Sequence, residues 1–314
     1  MDKDDRHYQH RNKTFKEAVH RYWDEFEGKA KKRQKYALTP CLLYIGDLPC
    51  GDVDEETLRY FKKDRHSGLG HFTKPVMVGT VNKELTSITT VLNRACRDWR
   101  WIPSVPRIRH IKGDTRQPYP LTWNEQDRFI HCLPTGWDQG VALFAVNTGV
   151  RKAELFGLTW KAEMEIPEIN SKVFILNPET TKNGKARAVI LNSVALNVVE
   201  HNRKLYGNNE LVFPSPNGNV VQSVSRSWNK AWIKAGLPDD PLIKKGIHNF
   251  RHTYGQRLRA SGVPEEDRDA LLGHANKSLS QHYAQADVER LTAYSERVTV
   301  RTDSVILRPV RTTE

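Results

Sequence analysis

The chain has 314 residues, enough for two domains that each bury a core, and no apolar run approaches the roughly 18 residues that a membrane span needs. Its 49 Lys and Arg against 37 Asp and Glu leave a net charge of +12. Both halves share that excess, so a polyanion contacted from two sides fits better than a basic tail on a neutral enzyme. The four cysteines (Cys41, Cys50, Cys96, Cys132) are scattered, without a Cys-x-x-Cys pair or a leading signal segment, and read as reduced thiols of an intracellular protein.

Residues 1–13 are almost wholly polar and are expected to be disordered. A first helix begins near Thr14, because Phe15, Val19, Tyr22, Trp23 and Phe26 recur at helical spacing. A basic stretch, Lys29 to Lys35, follows, and a second helix is expected around Glu55 to Lys63, entered from the acidic turn Gly51-Asp52-Val53-Asp54. The clearest helix opens near Thr80: Val81, Leu85, Ile88, Leu92, Ala95 and Trp99 make one apolar stripe. Lys83, Arg94, Arg97 and Arg100 lie off it, either as solvated charges or, as a group, along a phosphate backbone. This places a small all-helical basic domain over residues 14–102.

Five residues that break regular structure (Pro103, Pro106, Gly113, Pro118, Pro120), interleaved with Arg107, Arg109, His110, Lys112 and Arg116, mark 103–120 as a basic linker. Thr122 and Glu125 then form a capping-box pattern at the start of a second domain, 121–295. A helix from Gln139 to Asn147 ends at Thr148-Gly149, and a new one begins at Val150-Arg151. Three strands are expected, Ala162 to Ile166, Lys172 to Asn177 and Ala186 to Leu191. The last two are joined through the hairpin signal Asn183-Gly184. From Ser193 to about Tyr294 the pattern is helical, and the tail 296–314 carries one more β-like run, Ser304 to Leu307.

Within this frame one set of side chains stands out. His248 and Arg251 lie three apart on one helical face, His274 follows Leu271-Leu272-Gly273, and Tyr283 comes nine residues later. Arg151, at a helix start, can bind an anion with the help of the dipole, and Glu154 three residues on can orient it. Lys182, beside the hairpin turn, can reach into a groove, with Lys185 as its neighbour and rival. Taken singly, each of these is as well read as a solvated surface residue. Together they supply cations for the phosphate oxygens, a phenol nucleophile and an acid for the leaving alkoxide, as attack on a phosphodiester requires.

In order and spacing these segments resemble the tyrosine recombinase (phage integrase) family. Thr148-Gly149-Val150-Arg151-Lys152-Ala153-Glu154-Leu155 is similar to its first-arginine motif and Thr181-Lys182-Asn183-Gly184-Lys185 to its catalytic-lysine hairpin. His248-Asn249-Phe250-Arg251-His252-Thr253 resembles its His-x-x-Arg box, and Leu271 to His274 with Tyr283 its terminal box. The resemblance covers residues 120 to 295. The helix over Val81 to Trp99 also resembles the last helix of that family's core-binding domain.

The resemblance implies a two-domain, C-shaped DNA clamp. Its N-terminal core-binding domain would be all α, and its catalytic domain mainly α with a small antiparallel sheet (α+β). It implies that Tyr283 forms a 3′-phosphotyrosyl bond, that Arg151 and Arg251 stabilise the transition state, and that Lys182 protonates the 5′-oxygen. His248 would assist proton transfer and His274 would hydrogen-bond the phosphate. Tyr254 and Tyr294 are rival phenols that read as packing residues. No cofactor or divalent ion is expected. Partners implied are double-stranded DNA bearing attachment-type sites, copies of the chain forming a tetramer on paired sites, and DNA-bending accessory proteins. The location implied is the cytoplasm of a bacterial host, on the nucleoid. A type IB topoisomerase, which shares this chemistry, and a catalytically silent architectural protein are the alternative readings.

Overall fold

The structure, a computed structural model, describes residues 12–28, 30–113, 116–179, 181, 186–215, 225–274 and 285–301. The chain divides into two compact units, Met1–Thr115 and Arg116–Glu314.

The first unit is built from α1 (Phe15–Glu25), α2 (Lys31–Ile45), α3 (Glu55–Ser67) and α4 (Val78–Arg97). Thr14 starts α1 through a capping box: the Glu17 amide donates to Thr14 Oγ1 (3.2 Å) while the Thr14 amide donates to Glu17 Oε2 (2.8 Å). All six positions of the expected stripe are buried, the five within α4 from Val81 to Ala95 completely and Trp99, just past its end, nearly so. Each such aliphatic side chain contributes about 1.5–3 kcal/mol by leaving water. They pack on Phe15, Val19, Leu38, Cys41, Ile45, Leu58 and Phe61. Part of the basic stretch at 29–35 is in fact the opening of α2, a helix that continues through Pro40. Proline removes one ladder bond there, and the burial of Leu38, Cys41 and Ile45 outweighs it. Residues 103–113 have no regular structure, and Val105, Ile108 and Ile111 pack on this same core.

The second unit opens with α5 (Trp123–Cys132), capped by Thr122 and Glu125 in the reciprocal way their spacing predicts. α6 (Trp137–Thr148) and α7 (Lys152–Phe156) follow. Strands β1 (Glu163–Ile166), β2 (Ser171–Leu176) and β3 (Arg187–Ile190) make an antiparallel sheet in that order, with Val173 opposite Ile190 and Leu176 opposite Arg187. The hairpin tip at 182–185, Lys182 included, lies outside the described residues. Helices α8 (Ser193–Tyr206), α9 (Ser225–Lys234), α10 (Ile247–Ala260), α11 (Glu265–Leu272) and α12 (Gln285–Arg297) complete the unit. The unit is thus mainly helical with one small antiparallel sheet.

Its core is apolar α6, whose Val141, Phe144, Ala145 and Val146 are wholly buried, packed with α8 and α10. Phe129, Trp228, Trp232 and Phe250 form an edge-to-face aromatic group, with ring centroids 5.3–6.0 Å apart, between α5, α9 and α10. Beyond α12, Arg301 donates to both carboxylate oxygens of Asp127 on α5 (2.6 and 3.0 Å). The β-like run Ser304–Leu307 lies outside the described residues. Among the described residues no helix is long and apolar enough to cross a membrane.

Candidate active site

Two left-handed glycines shape the site. Gly149 ends α6 at φ 59°, and a Cβ there would lie 2.5 Å from the Tyr254 ring, so only glycine lets the chain turn this closely over α10. After it the backbone runs extended, and Arg151 occupies the cap position ahead of α7, one residue outside the helical turn expected of it. Gly273 ends α11 at φ 64° and starts the turn that carries His274.

α10 is set against the segment before α5 by polar contacts. Asn249 donates to the Tyr119 carbonyl (2.6 Å) and accepts from its amide (2.8 Å), while Thr253 Oγ1 accepts from the Leu121 amide (3.1 Å). These pairs satisfy buried backbone groups and fix the rotation of the helix, and with it the directions of His248 and Arg251.

Three guanidinium groups then meet on the carbonyls that α6 and α11 leave free at their C-terminal ends. Arg251, 6% exposed, donates Nη1 to the Gly149 carbonyl (2.7 Å) and Nη2 to the Leu272 carbonyl. Arg151 donates Nη2 to the Gly273 carbonyl (2.7 Å) and Nη1 to Glu154 Oε1 (2.9 Å). Arg187, at the start of β3, donates Nη1 to the Leu272 carbonyl (2.5 Å), and its Nη2 stands 3.8 Å from Glu154 Oε2. The Leu272 oxygen thus uses both lone pairs, and the buried Glu154 lies between two arginines. Burial, then the charges of Arg151 and Arg187, bring the Arg251 pKa down to about 9, partly offset by Glu154. Three cations against one buried carboxylate make a basin that an anion would stabilise.

His274 adds its ring at the rim. Its Nδ1 lies 2.9 Å from Asp269 Oδ1 and its amide donates to the Asp269 carbonyl (3.0 Å), leaving Nε2 as the ring nitrogen for a substrate oxygen. His248 is exposed, and its ring meets that of His252 edge-on at 4.8 Å. The His252 Nε2 is shut off from solvent without a hydrogen-bond partner among the described residues. Burial first, then the charges of His248, Lys244, Arg251 and His274, push the His252 pKa down to about 4. Arg151, His248, Arg251 and His274 therefore share one neighbourhood. Lys182 and Tyr283 lie outside the described residues.

Of the rival phenols, Tyr254 is wholly buried, 3.0 Å from Ser295 Oγ, and burial raises its pKa to about 12, which unfits it as a nucleophile. Tyr294 packs partly buried beneath the Arg297 guanidinium. Arg187 and His252 are the members of the cluster that sequence reasoning missed. The legible signal for His252 was its i+4 spacing from His248. For Arg187 there was no local signal, since an arginine at the head of an apolar strand reads equally well as solvated.

The model of the "Phage integrase family" matches residues 121–290. The integrase of Salmonella phage P22 is 25% identical over 234 residues, 72% of this chain and 58% of that protein. The tyrosine recombinase XerC of Rhizobium meliloti (strain 1021) is 32% identical over 155 residues, 48% of this chain and 45% of that one. The chain thus spans about half the length of these relatives. Among solved structures, a lambda integrase (75-356) dimer bound to a COC′ core site superposes with a TM-score of 0.65 at 16% identity, covering 87% of this chain and 99% of that one. A lambda integrase tetramer bound to a Holliday junction does so at 0.66 and 15%, covering 97% and 83%. The Tn1549 transposon integrase in complex with circular intermediate DNA gives 0.64 and 17%, covering 88% and 98%.

Proposed function

The chain belongs to the phage integrase family, and we propose on that premise that it is a site-specific DNA recombinase, cutting and rejoining duplex DNA through a 3′-phosphotyrosyl intermediate. The observation that carries this reading is the convergence of Arg151, Arg251 and His274 on the C-terminal turn of α11. Guanidinium forks suit the non-bridging oxygens of a phosphodiester, and in a buried setting they act strongly on charge that develops in the transition state.

On this reading the Tyr283 oxygen attacks phosphorus, the P–O bond to the 5′-oxygen breaks, and Lys182 gives that oxygen its proton. Arg151 and Arg251 hold the phosphate, and the protonated form of His274 donates to one of its oxygens from Nε2 while its Nδ1 donates to Asp269. His248 takes part in moving the tyrosine proton. The bond energy stays in the phosphotyrosine, and the 5′-hydroxyl of a new partner strand reverses the step. Residues 14–102 would be the core-binding domain, 103–120 the linker, 121–295 the catalytic domain and 296–314 the tail. The family match over 121–290 and the helical first unit support that division. The partner would be double-stranded DNA with attachment-type sites, held by a tetramer on paired sites and bent by accessory proteins. That assembly would work on the nucleoid, in the host cytoplasm, to integrate or excise a mobile element. Similar integrases solved as a dimer on a core site and a tetramer on a Holliday junction support such an assembly.

Incubation with a nicked suicide duplex carrying the end sequence of the element, followed by denaturing electrophoresis, tests the reading. The wild type should give a covalent adduct, and Tyr283→Phe should bind the duplex without forming one. An adduct with the Phe variant would sink the assignment.

A further inference from the structure

Arg187 has no place in the reaction outlined above, yet it is among the most enclosed charges of the chain, 5% exposed at the head of a strand whose four residues are all buried. Its Nη1 shares the Leu272 carbonyl with Arg251, and its Nη2 faces the Glu154 carboxylate that also holds Arg151. A Cβ on Gly273 would run into the Nη1, Cδ and Cζ atoms of Arg187, so this side chain lies directly against the turn that leads to His274. One guanidinium therefore links three elements: β3, the carboxylate of α7 and the C-terminal turn of α11.

We propose that Arg187 is a positioning residue of the cleavage reaction: from β3 it fixes the Leu272–His274 turn and Glu154, so that Arg151, Arg251 and His274 stand ready around one phosphate. A glycine turn with free carbonyls has many conformations open to it, and the shared hydrogen bonds to Leu272 remove them. Arginine suits the task because a single planar group reaches a carbonyl and a carboxylate at fixed angles, which a lysine cannot. The role rests on the recombinase reading for its consequence, since the groups it aligns are those assigned to the phosphate. The geometry itself stands without DNA.

The experiment has two arms. In the first, hydrogen exchange of the backbone amides of residues 265–274 is followed in the free full-length protein, wild type against Arg187→Gln and Arg187→Lys. The geometry predicts exchange at least about tenfold faster at Gly273 and His274 in both variants, with the α4 and α6 amides unchanged. Unchanged exchange at the turn would overturn the proposal, as would faster exchange spread over the whole unit, which marks general unfolding. In the second arm, single-turnover cleavage of the suicide duplex is measured beside duplex affinity. Loss of alignment should slow cleavage about 100-fold and leave affinity within about threefold. Combining Arg187→Gln with His274→Ala should cost less than the product of the two single effects, because both disturb one turn. Multiplying effects, or an equal loss of affinity, would overturn it. A wild type that forms no adduct while the exchange result holds would count against the recombinase reading and leave the turn-fixing role of Arg187 standing.

Discussion

At the scale of single residues the site is a problem of charge in a dry place. Glu154, 2% exposed at its side chain, is the carboxylate held between Arg151 and Arg187. Removing one partner of such a group leaves the remaining charges uncompensated. Glu154→Ala should therefore destabilise the second unit by about 3 kcal/mol or more, read as a lower denaturant midpoint. Arg251→Lys keeps the charge and loses the fork that spans Gly149 and Leu272, so adduct formation should fall by about 10²- to 10³-fold with duplex affinity largely kept. His252 gives a pH signature. Its pKa falls from 6.5 unfolded to about 4 folded, so between those values the unfolded chain binds the extra proton. The stability it contributes is full above 6.5 and is lost as pH drops towards 4. The melting temperature of the wild type should decline over that window, and His252→Gln should flatten the decline. That Arg151, His248, Arg251 and His274 lie in one neighbourhood was legible because each sits in a short motif with its own spacing. Arg187 was not, because nothing local distinguishes a strand-head arginine that meets a carbonyl 85 residues away from one that meets water.

At the scale of elements, the ends matter more than the middles. The arginines bind where α6 and α11 stop, and each helix stops at a glycine with positive φ. Gly149→Ala would pay both the left-handed strain and the collision with Tyr254, and should destabilise by more than about 1 kcal/mol, measured by chemical denaturation. The start of α5 is ordinary by contrast, and Thr122→Ala should cost about 1 kcal/mol through the lost cap alone. Such starts, and the α4 stripe, were readable because they depend on residues three and four apart. α2 was hidden: four charges and a proline mask a helix that only packing against α1 and α4 reveals. The extended backbone of Arg151 was likewise unreadable, since it follows from how tightly Gly149 turns over α10.

At the scale of the whole molecule, the apolar clusters assign separate cores to the two units. A fragment of residues 116–314 should therefore unfold as a single cooperative transition in calorimetry; a broad, non-cooperative trace would refute its independence. With a net charge of +12, binding to duplex should weaken steeply with salt, by about 10³-fold or more between 50 and 200 mM if six or more phosphates are contacted. The bareness of Gly273 has a consequence on a longer timescale. Because Arg187 fills the space where a side chain would grow, and the positive φ strains any L side chain there, position 273 is closed to alanine on two counts. In the descent of this chain, loss of the arginine at 187 would lift only the first of these obstacles, so glycine should persist at 273 even where 187 has changed. Related genomes should therefore show changes at 187 beside a retained glycine at 273, and not the reverse.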